Sequence, residues 1–570
     1  MGSDLITVGL HISGITSSCA IIKNGKILFA SCEERYSRVK FDKYFPQRSL
    51  EIGLSKFNLN IDQIQKFAIS WNPAINIKDK FRPGFSEWPA YPGARLYSIP
   101  NKILPFFNNL PDLDTTKLSF CSKNKSIEFE YINHHDAHAY FCYFASGFNK
   151  SDILINDGYG EKVSTSFYRG NSTKLNLIQQ DFFPNSIGML YSTITQFLGF
   201  RPYLDEWKVM GASAYGCADV YKKQFNELAS ILAGRLHLNL SYFKFYDFDS
   251  KYLFADKLIQ LLGKPRNPGD QMNQRHFNIA ASLQKFIEFL VLDQLKYLKE
   301  SSFSDNLCLS GGVAMNCLLN GAIQKLNLYK KVYIPYAPDD SGNAIGAALV
   351  SQIPHHKNFN INLNNPYTGD YFSNDEIKVF LDKFQIKYEI SHFVEREVAS
   401  LINKGQIIGW FQGAMEFGQR SLGNRSILAD PRDPFMKEKI NLAIKYREEF
   451  RPFAPSVMEE YACDWFEMGN TSSVPFMEKI FSVKKHLACK IPSVCHADGS
   501  ARLQTVTKSS NPRFHRLISE FNAITNVPLI INTSFNTNNE PIVRTPEDAI
   551  RTFYTSGLDI LVLGDFIIKK

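Results

Sequence analysis

Two apolar runs, Cys19–Lys23 and Lys26–Cys32, meet at Asn24-Gly25, and that junction constrains the fold more than any other stretch of the chain. Asn-Gly is favoured where both central residues of a two-residue hairpin take positive φ, so the two runs are expected to pair antiparallel. Before them, the β-branched run Leu5–Ser13 ends in the small polar turn Gly14-Ile15-Thr16-Ser17-Ser18. Strand, small turn, strand, tight hairpin and strand commit the start of the chain to an antiparallel sheet. The first turn can offer backbone N–H groups and hydroxyls to an anion. A plain β-meander reads the same way. At 570 residues the chain is too long for one hydrophobic core, and about two to four domains are expected.

Composition narrows the class. An apolar content of 44% with 21% charged residues is that of a soluble globular protein. The net charge of +8 suits anionic small substrates, and without a long Lys/Arg run it gives nucleic acid no specific support. Ten cysteines form no C-x-x-C pair, so they read as mostly buried, reduced thiols of a cytoplasmic protein. No 18-residue apolar run is present and the N-terminus lacks a signal pattern, so no membrane association is expected.

Chemistry-bearing residues recur along the first half. His134 and His138 stand four apart in Asn133-His134-His135-Asp136-Ala137-His138-Ala139, so a helix would put both imidazoles on one face, able to grip one cation. With 12 histidines in the chain, such a pair can also arise by chance. Asp157 ends the apolar run Ile153–Asn156 and reads either as a third hard ligand or as a turn-capping residue. Gly311-Gly312 follows the apolar run Leu307–Ser310, with Asn316 beyond it; the missing Cβ atoms would let backbone approach an adenine or ribose, or make a tight strand-to-helix turn. Asp340 opens a Gly/Ala-rich helix and reads as an N-cap or as the carboxylate of a His/His/Asp metal site. In Asn273–Glu300, the helical spacing of Ala280, Leu283, Ile287 and Leu290 marks a core stripe. The Pro/Trp-rich region around Trp88–Tyr97 is the candidate lid.

Residues 355–369, rich in Asn, Pro and Lys, read as an interdomain linker. Beyond it, Arg420, Arg425, Lys445 and Arg451 lie among Gly, Pro and aromatic residues. Apolar neighbours would bury the guanidinium stems and leave planar forks for phosphate, although a solvated basic surface is the plain alternative. Asn532-Thr533-Ser534-Phe535-Asn536 follows the apolar run Val527–Ile531 and offers amide and hydroxyl groups to a phosphate or carbamate.

The order of His134–Ala139, Asp157–Glu161, Asp205–Gly211, Ser310–Asn316 and Asp340–Gly346, continued through the second half, resembles the O-carbamoyltransferases of nodulation factor, cephamycin and tobramycin biosynthesis. The resemblance implies an α/β protein. Residues 1–354 would form an actin/Hsp70-like ATPase domain of two RNase H-like subdomains, similar to the ATPase of tRNA threonylcarbamoyladenosine synthesis. Residues 370–570 would form a YrdC-like domain. It further implies that His134, His138 and Asp340 ligate a metal, Fe(II) or another divalent ion, with Asp157 in the same site. Gly311, Gly312, Asn316, Arg420, Arg425, Lys445, Arg451, Asn532 and Ser534 would serve Mg-ATP or carbamoyl phosphate, Lys445 and Arg451 taking part in catalysis. The family's first turn usually carries a His and, two residues on, an Asp; the aligned residues here are Gly14 and Thr16. That leaves His11 and His135 as candidate bases for transfer.

The implied activity is formation of carbamoyl-AMP from carbamoyl phosphate and ATP, then transfer to a hydroxyl of a small molecule, a secondary metabolite. A homodimer is the candidate assembly. The rivals are a tRNA threonylcarbamoyladenosine-type enzyme and a non-catalytic nucleotide-binding regulator. A hydrogenase-maturation carbamoyltransferase should add an acylphosphatase segment and C-x-x-C zinc modules, which are missing from this sequence.

Overall fold

The computed structural model of the protein describes residues 5–12, 14–72, 115–122, 125–247, 249–302, 304–353, 363–446, 451 and 453–570. The chain divides into two units, Met1–Glu33 with Lys43–Asn364, and Glu34–Asp42 with Asn365–Lys570. The stretch 34–42, expected in a first domain running from 1 to 354, thus belongs to the second unit. The candidate lid Trp88–Tyr97 and most of the linker 355–369 lie outside the described residues.

In the first unit, β1 (Ile6–His11), β2 (Ser18–Lys23) and β3 (Lys26–Cys32) form the expected antiparallel start. Asn24 and Gly25 take φ of 47° and 77°, the positive pair a two-residue hairpin requires. With β4 (Lys66–Ile69), β5 (Thr115–Ser122) and β6 (Lys125–Ile132), they make a sheet of order β3-β2-β1-β4-β6-β5 in which β4 and β6 run parallel to β1. The next strands are β7 (Lys150–Gly160), β8 (Val163–Asn171) and β9 (Lys174–Phe182), the small hairpin of β10 (Ala229–Leu232) and β11 (Arg235–Leu238), then β12 (Asn306–Ser310) and β13 (Lys331–Tyr333). The second large sheet has the order β13-β12-β7-β8-β9. β7 to β9 are antiparallel, and β12 and β13 run parallel to β7. Three antiparallel strands followed by two parallel ones thus occur twice, which is the duplicated RNase H-like arrangement expected. β7 differs in one respect: it runs on through Asp157 to Gly160 instead of ending in a turn.

Small residues let two helices approach closely. The helix Asn343–Gln352 packs on β1 at Gly9, where a Cβ would lie 1.8 Å from the Ala344 carbonyl oxygen. It crosses the helix His134–Ser146 at Gly346, where a Cβ would lie 2.0 Å from the Ala137 carbonyl oxygen. This crossing brings the turn that carries Asp340 against the histidine helix. The long helix Gln274–Glu300 starts at the Asn273 cap and buries Ala280, Leu283, Ile287 and Leu290, as its spacing indicates. Among the described residues, no helix is long and apolar enough to cross a membrane.

The second unit is built on a nine-stranded mixed sheet of β14 (Glu389–Ile390), β15 (Ile408–Phe411), β16 (Arg425–Ala429), β17 (Ala454–Met458), β18 (Lys479–Ser482), β19 (Ser500–Val506), β20 (Leu529–Ser534), β21 (Ile560–Leu563) and β22 (Phe566–Lys569). Its order is β14-β22-β21-β15-β16-β20-β17-β19-β18. Trp410, Ile427, Val457, Leu503, Ile530 and Leu561 bury the sheet against helices that include Val394–Asn403 and Pro512–Thr525. This is the second α/β domain expected.

Candidate functional site

His134 begins the helix His134–Ser146 and His138 lies one turn on, so both rings leave the same face. Glu161 holds the start of that helix: its Oε1 accepts from the backbone N–H groups of His134 (3.1 Å) and Asn72 (2.7 Å). Asp157 comes from β7, and Asp340 from the turn before Asn343–Gln352. One ligand atom from each of His134, His138, Asp157 and Asp340 lies within 4.8 Å of the others. His134 Nε2 is 3.2 Å from both Asp157 Oδ2 and Asp340 Oδ1. His138 Nε2 is 3.4 Å from Asp340 Oδ1 and 4.0 Å from Asp157 Oδ2, and the two Nε2 atoms are 3.2 Å apart.

Outer hydrogen bonds assign the ring protons. His134 Nδ1 lies 3.3 Å from the Ser70 carbonyl, which can only accept. His138 Nδ1 lies 3.2 Å from Ser310 Oγ, whose own proton goes to the Pro338 carbonyl at 3.0 Å. A neutral ring at either position would thus keep its hydrogen on Nδ1 and turn an Nε2 lone pair inward, as a metal ligand must. Asp157 is steadied in the same way, its Oδ1 accepting from Gly312 N–H at 3.0 Å. Two imidazoles and two carboxylates thus converge, and the spacings that involve a histidine, 3.2–4.0 Å, match ligands placed about 2.0–2.2 Å from one shared cation. Where no cation is bound, the same carboxylates favour a proton on the His134 ring, which a bound metal would displace. Burial opposes charge on His134, but Asp340 and then Asp157 outweigh it and hold the ring well above the usual imidazole range. Burial likewise raises Asp340, and the His134 charge overrides it, holding the carboxyl well below its usual range. Imidazole with carboxylate fits Fe, Mn or Zn.

His11 sits beside this cluster. It is fully buried at the end of β1, its Nδ1 is 2.9 Å from Ser70 Oγ, and its Nε2 lies 3.7 Å from Asp340 Oδ2. That Nε2 has no hydrogen-bond partner among the described residues. Burial lowers its pKa to about 4, with the Asp340 carboxylate working in the opposite direction. At Gly14, a Cβ would stand 2.8 Å from Asp340 Oδ2 and 3.8 Å from His11 Nε2, so the glycine leaves open the space both groups face. His135 is also buried, with Nδ1 2.9 Å from Ser166 Oγ and a pKa lowered by burial to about 3.

The glycine pair makes the tight strand-to-helix turn that was one of its two expected readings. A Cβ at Gly311, where φ is +90°, would lie 2.2 Å from the Asn156 carbonyl oxygen, and one at Gly312 would lie 3.0 Å from Asp157 Oδ1. The close approach is to the protein's own β7. Asn316 caps the helix Cys317–Leu326 through Leu319 N–H and exchanges hydrogen bonds with Gln284. The glycine pair thereby holds Asp157 and the chain around it.

In the second unit, strand register gathers the cationic loops. Arg425 opposes Phe411, Ser426 opposes Ser534, and Ala454 opposes Asn532, so the segments carrying Arg420, Arg451 and Ser534 reach the same end of the sheet. Buried Glu416 shapes the loop around Arg420 by accepting from the N–H groups of Leu422, Asn424 and Arg425 at 2.7–3.2 Å. Lys445 ends a π-helical turn, a feature frequent at functional sites. Its Nζ donates to the Ser534 carbonyl (2.6 Å) and to the carbonyl and Oδ1 of Asn536 (2.8 Å each), joining two expected site residues. Arg420 and Arg451 are partly buried. Arg425 is fully buried; its two Nη atoms donate to the carbonyls of Gln412, Gly413, Asn424 and Asp370, and its Nε has no hydrogen-bond partner among the described residues. Asn532 Nδ2 lies within hydrogen-bond distance of the Ser421 carbonyl, Ser456 Oγ and Gln504 Oε1, and its Oδ1 has no hydrogen-bond partner among the described residues.

Sequence reasoning missed Glu161, Glu416 and the Ser70 carbonyl. Glu161 stood within a quoted motif without a role. The other two hold site loops through backbone groups and carry no short-range signal.

Comparison with known proteins places this geometry. Residues 8–349 match the family described as carbamoyltransferase N-terminus, and residues 399–570 match carbamoyltransferase C-terminus. An uncharacterized protein of Synechocystis sp. is 33% identical, covering 98% of this chain and 97% of its own length. The nodulation protein NolNO of Sinorhizobium fredii is 32% identical over 97% of this chain and 78% of its own length. Among solved structures, full-length HypF in its phosphate- and nucleotide-bound form aligns with a TM-score of 0.31 and 13% identity, over 63% of this chain and 56% of that one.

Proposed function

The chain belongs to the carbamoyltransferase family, and from that premise we propose that it is an ATP-dependent O-carbamoyltransferase acting on a hydroxyl of a small molecule. The observation that carries this reading is the convergence of His134, His138, Asp157 and Asp340, with His11 Nε2 facing the same carboxylate.

In the second unit, Arg420, Lys445, Arg451 and Ser534 hold the phosphates of ATP and carbamoyl phosphate. Their charge offsets the repulsion between phosphate oxygens and an attacking carbamate. Water cleaves carbamoyl phosphate to carbamate and inorganic phosphate, the carbamate oxygen attacks the α-phosphorus of ATP, and pyrophosphate leaves with carbamoyl-AMP formed. In the first unit, Fe(II) or another divalent cation held by His134, His138, Asp340 and Asp157 would supply Lewis acidity toward the adenylate. The acceptor hydroxyl attacks the carbamoyl carbon and AMP departs. His11 is the favoured base. Burial keeps it unprotonated at neutral pH, and the Asp340 carboxylate 3.7 Å away stabilises the proton it gains. Among the described residues, His135 Nδ1 meets Ser166 Oγ and its Nε2 meets no carboxylate.

The test is release of AMP and pyrophosphate from ATP by the purified, metal-loaded protein with carbamoyl phosphate present. Dependence of pyrophosphate release on carbamoyl phosphate supports the enzyme. Its absence leaves a nucleotide-binding regulator, and the catalytic reading fails. Screening hydroxylated metabolites for a carbamoyl mass gain then identifies the acceptor.

A further inference from the structure

We propose that Arg35, supplied by the segment 34–42 from near the N-terminus, is an additional anion-binding residue of the second unit. This rests on the adenylate-forming reading of that unit.

The segment is fastened from several sides. Arg38 donates to the carbonyls of Ile542 (2.7 Å) and Pro541 (3.0 Å) and lies 3.4 Å from Asp548 Oδ1. The Arg544 guanidinium sits over the Tyr36 ring at 4.8 Å. Glu34 is buried and serves its own segment, accepting from Phe41 N–H at 3.0 Å and from Lys40 Nζ at 3.3 Å. It also forms a buried ion pair with Arg35, 3.8 Å from Nε, which is too long for a hydrogen bond and leaves Nη1 for another acceptor.

Arg35 itself is 3% exposed. Its Nη2 donates to the Gly418 carbonyl at 3.1 Å, and its Nη1 is buried with no hydrogen-bond partner among the described residues. A buried guanidinium donor left without an acceptor is costly, and such groups persist where a ligand or ion completes them. Gly418 is followed by Gln419 and Arg420, so Arg35 is bonded to the loop that carries the expected phosphate residue. A planar fork with one arm on the loop and the other unmatched fits a phosphate oxygen of ATP or of carbamoyl phosphate. The family's C-terminal match begins at residue 399, so this contribution comes from outside it.

The full-length, metal-loaded protein tests the idea with R35K and R35Q. Pyrophosphate release is measured with ATP varied at saturating carbamoyl phosphate, and the reverse. R35K should raise one of the two KM values about tenfold or more, since a charge-assisted fork is lost, with kcat little changed. The arm that moves identifies the phosphate. The thermal midpoint should stay within about 2 °C, which a purely structural strut would not allow. Unchanged KM values on both arms would overturn the proposal while leaving the adenylate reading intact. If the wild type releases no pyrophosphate, that reading fails by itself, and inorganic pyrophosphate binding decides Arg35: weakening in R35K supports the site, equal affinity refutes it. If R35K and R35Q do not fold, amide exchange in the wild type is read instead. Slower exchange over 34–42 with pyrophosphate supports the site, and unaltered exchange refutes it.

Discussion

Replacing Ser310 with alanine removes the oxygen that orients His138. In the wild type Ser310 Oγ passes its proton to Pro338 and accepts from His138 Nδ1, which leaves the Nε2 lone pair directed at Asp340 and His134. Without that oxygen the buried Nδ1–H loses its partner and the ring can exchange tautomers. Loss of such an outer contact weakens metal binding by roughly 10–100-fold. The unsatisfied buried donor costs about 1–3 kcal/mol in addition. The assay is competition between the metal-free protein and a chromophoric chelator for Fe(II), Mn(II) and Zn(II), with thermal denaturation of the same samples. His134→Ala calibrates the scale, because it deletes a proposed ligand and should abolish stoichiometric binding and acceptor carbamoylation. Pyrophosphate release should persist in both variants, since it is assigned to the second unit. If Ser310→Ala binds each metal as tightly as the wild type, the tautomer argument is refuted. Full metal occupancy in His134→Ala would refute the ligand set.

Three further outcomes are expected. Arg451→Ala should lower pyrophosphate release by about 10²-fold or more, as for loss of a charge-stabilising donor, and near-normal release would remove Arg451 from the site. Burial depresses His11 to about 4, below the ordinary imidazole value of 6.5, so the unfolded chain takes up its proton first. That stability is fully present above pH 6.5 and is lost as the pH falls toward 4, on the order of 3 kcal/mol for this residue. Denaturant titrations of the metal-free protein should show that acid limb and its flattening in His11→Asn; identical limbs in the two proteins would contradict the burial argument. Gly311→Ala places a Cβ 2.2 Å from the Asn156 carbonyl at a φ of +90°. It should destabilise by about 3 kcal/mol or more, read as a lower thermal midpoint and soluble yield, and a stable variant would show that β7 can shift.

Much of the fold was legible because its signals are short-ranged. Asn24-Gly25 announced a hairpin, the i,i+4 spacing of His134 and His138 announced a shared helix face, and Asn273 with the stripe from Ala280 to Leu290 announced a long half-buried helix. Turn chemistry and periodicity act within a few residues, so a linear reading captures them. The candidate metal ligands were named through family resemblance, while local reading left Asp157 and Asp340 open between ligand and cap.

Tertiary structure decided what those local signals could not. Ser310 meets His138 across 172 positions because β12 lies parallel to β7, and Asp340 meets both histidines because Gly346 lets two helices cross closely. Burial also gave structural contacts to residues whose type suggested a ligand. Arg425 and Asn532 donate to loop carbonyls and buried side chains, and Gly311 makes room for Asn156. The segment 34–42 reads as part of the first domain and packs into the second unit. Sequence alone determines which stretches become strands, helices and turns, because those preferences are local. Which donors face one another depends on strand order and helix crossing, and these follow from how the whole chain buries its apolar surface.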